Sequence, residues 1–176
     1  TLDFIDMGGG LGVTYVNEET IEPHELIQSY ETIFKGRSER LIVEPGRSIS
    51  ANAGVMLAKV EYEKDAFLIT DAAMNDLMRP ALYNAKHRII PAIKINQRSK
   101  KIYEFVGPIC ESTDKFSTLG NFQKLKEKGL IVICDVGAYG MSLSSNYNLR
   151  PKAAELLIKN SKVQIISKRQ SLKDLM

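Results

Sequence analysis

Twice in the first fifty residues an apolar strand runs straight into a glycine-bearing loop, and this limits the possible folds more than any other feature of the chain. Leu2 to Met7 passes into Gly8-Gly9-Gly10-Leu11-Gly12, and Leu41-Ile42-Val43 passes into Glu44-Pro45-Gly46-Arg47. Between them Pro23 opens a helical stretch whose Leu26, Ile27, Tyr30, Ile33 and Phe34 recur at three and four, with Gly36 as its stop. The order strand, loop, helix, strand, loop predicts α/β character. It sets both loops at strand C-termini, the edge where ligands collect in such folds.

From about residue 54 the pattern changes to short strands with turns. Val55 to Glu63 and Ala66 to Thr70 flank a Lys64-Asp65 turn; Arg88 to Ile95, Lys101 to Val106, Leu130 to Asp135, Ala153 to Ile158 and Lys162 to Lys168 follow at the spacing of an all-β sandwich or barrel. Two segments break the pattern, Asp76 to Tyr83 and Ala138 to Asn148, and these are the candidate site loops; Ser171 to Met176 reads as a short final helix. The expected division is therefore an α/β part over residues 1–53 and a β domain over residues 54–176.

With 176 residues, 44% of them hydrophobic and 26% charged, disordered, collagen-like and coiled-coil classes are excluded. No apolar run approaches the roughly 20 residues of a membrane span, and a net charge of +3 from scattered basic residues selects neither nucleic acid nor membrane. Two cysteines, Cys110 and Cys134, are too few for a disulfide framework and lie in no C-x-x-C pair, and His24 and His87 have no ligand-spaced partner, so no metal is expected. The first residues show no signal-peptide pattern, so a cytoplasmic location is expected. They also read as a core strand without a leading segment, so the chain is expected to be the C-terminal piece of something longer.

Absent Cβ atoms at Gly8, Gly9 and Gly10 let backbone N–H groups approach an anion, although the spacing is neither a dinucleotide fingerprint nor a Walker A loop. Gly46 and Arg47 add a second glycine and a permanent cation at the next strand end, so two strand ends could converge on one phosphate. Glu44 is either a surface carboxylate paired with Arg40 or Arg47, or the partner of a specific cation in the site. Arg79 and Tyr83, four apart, share a helical face suited to a carboxylate. Cys110-Glu111 sets a thiol beside a carboxylate, its plainer reading being a small buried hydrophobe next to a solvated charge, and Cys134 reads as core. Tyr139, between Gly137 and Gly140, sits where a phenol could cap a phosphate or wall a ring.

Taken together, Asp6-Met7-Gly8-Gly9-Gly10-Leu11-Gly12, Glu44-Pro45-Gly46-Arg47-Ser48, Arg79-Pro80-Ala81-Leu82-Tyr83, Cys110-Glu111-Ser112-Thr113-Asp114 and Gly137-Ala138-Tyr139-Gly140 resemble, in this order, the diaminopimelate decarboxylases. These are fold-type III enzymes dependent on pyridoxal 5'-phosphate and related to alanine racemase and ornithine decarboxylase. The Cys-Glu-Ser run is typical of the diaminopimelate branch, the ornithine enzymes having Cys-Asp-Gly. The resemblance implies that residues 1–53 are the last strands of a (β/α)8 barrel and that the rest is the C-terminal β domain. It implies that Gly8, Gly9, Gly10, Gly46 and Arg47 hold the cofactor phosphate, that Tyr139 closes over it, and that Glu44 faces the pyridine nitrogen. Arg47, Arg79, Tyr83, Glu111 and Tyr139 would bind meso-diaminopimelate, and Cys110 would return a proton to Cα to give L-lysine and carbon dioxide. A homodimer is implied, because in the family the Cys-Glu loop serves the other subunit's site.

The family's cofactor-linking Lys and ring-stacking His lie upstream of these motifs, and none of the sixteen lysines here sits in the matching context. The chain alone is therefore expected to be inactive. The alternatives are a decarboxylase of ornithine, arginine or carboxynorspermidine type, or a non-catalytic remnant or regulatory partner.

Overall fold

In a computed structural model, which describes residues 2–176, the first two strands meet as their glycine loops require. Strands β1 (Phe4–Asp6) and β2 (Arg40–Ile42) pair in parallel, Phe4 opposite Arg40 and Asp6 opposite Ile42. Parallel neighbours need a crossover, and helix α1 (Pro23–Phe34) supplies it. Pro23 opens the helix, the Glu25 carboxylate accepts from the Glu22 backbone N–H at 2.9 Å, and Gly36 at φ +80° follows its end. Pairing continues beyond the strands: Met7 N donates to Ile42 O at 3.0 Å and Glu44 N to Gly8 O at 2.8 Å. The two glycine loops therefore leave one edge side by side. No residue of α1 is buried, and Ile33 is 62% exposed, because two strands and a helix cannot enclose a core.

The core lies in the second part. Strands β3 (Met56–Lys64), β4 (Phe67–Thr70), β5 (Ile89–Pro91), β6 (Ile102–Val106), β7 (Lys115–Gly120) and β8 (Leu130–Ile133) form one sheet in the order β5-β8-β3-β4-β6-β7. Every pair is antiparallel except β4 and β6, whose long connection carries the helix α3 (Arg79–Tyr83) and β5. Alternate residues point inward, so Val60, Leu68, Tyr103, Phe105, Phe116, Ile131 and Ile133 are buried together, each contributing about 1.5–3 kcal/mol. The sheet edges then come back together: Ser99 N donates to Phe122 O and Lys124 N to Gln97 O, both at 2.8 Å, joining the segment after β5 to the segment after β7. The result is nearly a closed barrel, which leaves few strand edges unpaired.

The β3–β4 turn falls at Lys64-Asp65 as expected, with Asp65 at φ +55°. The expected strand Arg88 to Ile95 is shorter, Ile89–Pro91, because Pro91 offers no N–H and the chain then departs to close the barrel. Strand β7 was not expected: Ser117, Thr118 and Gly120 dilute its apolar pattern, and pairing with β6 decides it. Strands β9 (Glu155–Lys159) and β10 (Lys162–Ser167) make a separate two-stranded ribbon turned by Asn160 and Ser161, both at positive φ. The final helix is a 3₁₀ turn over Leu172–Leu175. No described helix is long and apolar enough to cross a membrane.

Candidate active site

Three loops from different strands are locked together by backbone contacts that only glycine permits. An added Cβ on Gly9 would stand 2.5 Å from Glu44 O, so the β1 loop lies directly on the β2 loop. The segment after β8 docks on the short helix α2 (Arg47–Ser50) and the turn following it: Val136 N donates to Gly54 O and Gly137 N to Ala51 O, both at 2.9 Å. A Cβ on Gly137 would stand 2.0 Å from Ser50 O. This docking carries Tyr139, at φ +59°, over the β2 loop, where its Oη lies 3.5 Å from the position of a Cβ on Gly46.

Arg47 and Tyr139 line a cavity of about 790 Å³ together with Tyr15, Glu18, Arg79, Tyr83 and Lys86, among others. Arg79 is only 6% exposed and pairs with no carboxylate among the described residues. One of its N–H groups donates to Tyr15 Oη, and its Cζ lies 5.3 Å from the Tyr15 ring centroid and 6.0 Å from that of Tyr139. A guanidinium beside two aromatic rings, with donors to spare, is suited to receive an anion. The one carboxylate lining the cavity, Glu18, already accepts from Val16 N at 2.7 Å and Tyr15 N at 2.9 Å, and backbone donors, Val16 N foremost, hold it below the usual carboxylate range. Arg47, Arg79 and Lys86 leave the field positive.

Glu44 is exposed and forms no ion pair with Arg40 or Arg47 among the described residues, so its surface-pair reading does not hold. The plainer reading of Cys110 also fails: it is exposed, because the β6–β7 connection turns it outward, whereas Cys134 is buried as expected. That connection is held by Asp114, whose two carboxylate oxygens accept from Met74 N and Ile109 N, each at 2.7 Å. Glu111 accepts a hydrogen bond from Tyr147 Oη, which holds the phenol above its usual range. Neither Cys110 nor Glu111 lines the cavity that gathers Arg47, Arg79, Tyr83 and Tyr139.

Two residues here are not singled out by the sequence. Tyr15 lies three positions past Gly12, and Tyr147 sits in a candidate site loop, but neither stands in a recognisable pattern. His87, which the sequence leaves without a ligand-spaced partner, is packed at 2% exposure, with Nδ1 2.9 Å from Cys134 O. Burial pushes its imidazole below the ordinary range, so the unfolded chain takes up the proton first as pH falls. The stability His87 contributes is full above about pH 6.5 and is lost as pH drops towards its folded value. Denaturation midpoints measured from pH 7 to 5 are expected to fall less steeply in His87→Phe than in the native chain; parallel slopes would contradict this.

The sequence profile of the pyridoxal-dependent decarboxylase C-terminal sheet domain matches residues 6–137. The chain belongs to the pyridoxal-dependent decarboxylases. Among decarboxylases of this family it is 44% identical over 178 residues to diaminopimelate decarboxylase of Helicobacter pylori strain J99, covering 99% of this chain and 44% of that protein. It is 39% identical to the diaminopimelate decarboxylase of Aquifex aeolicus, covering 97% of this chain and 41% of the relative. The crystal structure of the Helicobacter pylori enzyme complexed with L-lysine superposes with a TM-score of 0.90 at 44% identity, over 99% of this chain and 44% of that one. A lysine/ornithine decarboxylase from Vibrio vulnificus shares the fold at a TM-score of 0.73 and 20% identity, over 86% of this chain and 42% of that one. The chain thus spans less than half the length of the relatives it matches. The decarboxylase family's cofactor carries a phosphate, and the loops fit one: a Cβ on Gly8 (φ +71°) or Gly10 (φ +91°) would meet nothing within 4 Å, and Ser48 Oγ is buried without a partner. Among the described residues no cluster of His, Cys, Asp and Glu could hold a metal ion.

Proposed function

We propose that this chain forms the C-terminal part of a pyridoxal 5'-phosphate-dependent diaminopimelate decarboxylase, which converts meso-2,6-diaminopimelate to L-lysine and carbon dioxide. The observation that carries the reading is the buried Arg79, paired with no carboxylate among the described residues, in a cavity it shares with Arg47 and Tyr139. A cation removed from water without a partner is costly unless an anionic ligand completes it. The 39–44% identity to diaminopimelate decarboxylases, against 20% to a lysine/ornithine enzyme, favours a substrate with a distal carboxylate over ornithine.

In this reading the division falls at residues 53 and 54, residues 1–53 ending a (β/α)8 barrel and residues 54–176 forming the β domain. Backbone N–H groups of Gly8, Gly9, Gly10 and Gly46, with Arg47, bind the phosphate dianion, and Tyr139 closes over it. Glu44, exposed and in no ion pair among the described residues, would hold a proton at the pyridine nitrogen. When bound, the cofactor acts as the electron sink that makes loss of carbon dioxide from Cα feasible. Arg47, Arg79, Tyr83 and Tyr139 orient the distal carboxylate, Glu111 takes the distal ammonium, and the Cys110 thiol delivers a proton to Cα. Cys110 and Glu111, exposed and outside their own chain's cavity, serve the site of a second copy in a homodimer. The reaction takes place in the cytoplasm, and the Lys that links the cofactor comes from a segment N-terminal to these motifs.

The test is the complete reading frame containing this chain, supplied with pyridoxal phosphate and assayed for lysine and carbon dioxide from meso-diaminopimelate, with ornithine as competitor. Glu111→Ala is expected to lower kcat/KM for diaminopimelate by about 10- to 100-fold, as for a lost charged hydrogen bond. Diamine release from ornithine with no lysine from diaminopimelate would overturn the reading. The 176-residue chain alone is expected to be inactive and to yield no stoichiometric borohydride-reduced adduct, including at Lys86 in the cavity.

A further inference from the structure

Arg79 is buried, yet it must present its donors at one fixed angle if it is to grip a carboxylate in two places. We propose that Tyr15 and His87 form a buttress that fixes the Arg79 guanidinium, Tyr15 by direct hydrogen bond and His87 as a positioning residue behind Tyr15. The proposal rests on the reading of Arg79 as part of the carboxylate clamp.

The three side chains form one buried line, at 6%, 8% and 2% exposure for Arg79, Tyr15 and His87. Tyr15 Oη accepts from Arg79, while the Tyr15 and His87 rings meet edge to face with centroids 4.9 Å apart and planes at 68°. His87 is itself anchored. The Cys134 carbonyl can only accept, so Nδ1 carries the proton facing it at 2.9 Å, and the ring orientation follows. Nε2 is buried with no partner. An apolar ring would fill the same space but leave the Cys134 carbonyl without this donor, so the histidine does more than pack: it ties its ring to the backbone at the end of β8. A ring pinned by a backbone bond fixes the angle of the ring it touches, and through it the direction of the phenol oxygen.

The line also spans the molecule. Tyr15 comes from the glycine loop after β1, Arg79 and His87 from the connection between β4 and β6, and Cys134 from the end of β8. The clamp is thereby registered to the phosphate loops and to the sheet at once. The Tyr139 ring is a second aromatic neighbour, its centroid 6.0 Å from Arg79 Cζ, which further limits the guanidinium's freedom.

The test uses the complete decarboxylase, with pimelate, a dicarboxylate lacking amino groups, as the calorimetric probe, alongside steady-state kinetics on meso-diaminopimelate. Tyr15→Phe, which deletes only the acceptor, is expected to weaken pimelate about tenfold and raise KM with kcat little changed. His87→Phe, which keeps a ring but frees it from Cys134, is expected to weaken pimelate by a smaller factor, and by nothing further in the Tyr15→Phe background, because it acts through Tyr15. Unchanged binding in Tyr15→Phe, an equal His87→Phe effect in both backgrounds, a loss of denaturation midpoint without loss of binding, or native protein that does not bind pimelate would each overturn the buttress. Failure of the proposed reaction would look different: native protein would bind pimelate but release no lysine.

Discussion

Gly137→Ala is expected to destabilise the chain by about 4 kcal/mol, in the upper tail for a single substitution, and to remove most activity from the complete enzyme. The reason is what the new methyl would meet. Its Cβ would lie 2.0 Å from Ser50 O, 2.8 Å from Gly54 N and 3.1 Å from Ala51 O, all backbone atoms of the segment that carries Gly46 and Arg47. Backbone cannot rotate aside as a side chain can, so the segments must separate and break the Val136–Gly54 and Gly137–Ala51 hydrogen bonds. Tyr139 would lose its place over Gly46. Gly120→Ala supplies the comparison: its Cβ would meet only Ile102 Cγ1, at an ordinary 3.8 Å, so its cost should stay below about 1 kcal/mol. Equal denaturation midpoints for the two variants would refute the account.

Asp114→Ala is expected to cost about 2–5 kcal/mol, because two backbone N–H donors, of Met74 and Ile109, lose their acceptor at once. Asp114 is 3% exposed, and its carboxylate occupies the space a side chain at Gly107 would need, a Cβ there standing 2.3 Å from Asp114 Oδ2. Hydrogen exchange should therefore accelerate at Met74 and Ile109 together, and the outward presentation of Cys110 and Glu111 should be lost with it. Protection retained at both amides would mean that another group holds the loop.

Much of this arrangement is legible in sequence because its signals are local. Pro23 and Gly36 bound α1 through φ preferences that belong to those residues alone, and alternation in β3 and β6 marks their inner faces. The glycine loops announce themselves for the same reason: missing side chains are visible in a sequence. Strand β7 is not legible, since Ser117 and Thr118 are as suited to a loop, and only pairing with β6 and the burial of Phe116 select the strand. The network that ties the candidate site loops is equally hidden. Asn75 donates to Ser145 O at 3.0 Å and accepts from Arg150 Nε at 2.9 Å, joining residues about seventy positions apart that share no motif.

The same division runs through the site. Residue types and their order were enough to single out Gly8 to Gly10, Glu44, Gly46, Arg47, Arg79, Tyr83, Cys110, Glu111 and Tyr139, because phosphate, carboxylate and ammonium recognition each demand particular side chains. What only the tertiary structure decided is which of them stand together: Arg47, Arg79, Tyr83 and Tyr139 around one cavity, Cys110 and Glu111 outside it, and Tyr15 and His87 behind Arg79. A side chain's chemistry is written in its own atoms, but its neighbours are set by how distant strands pack.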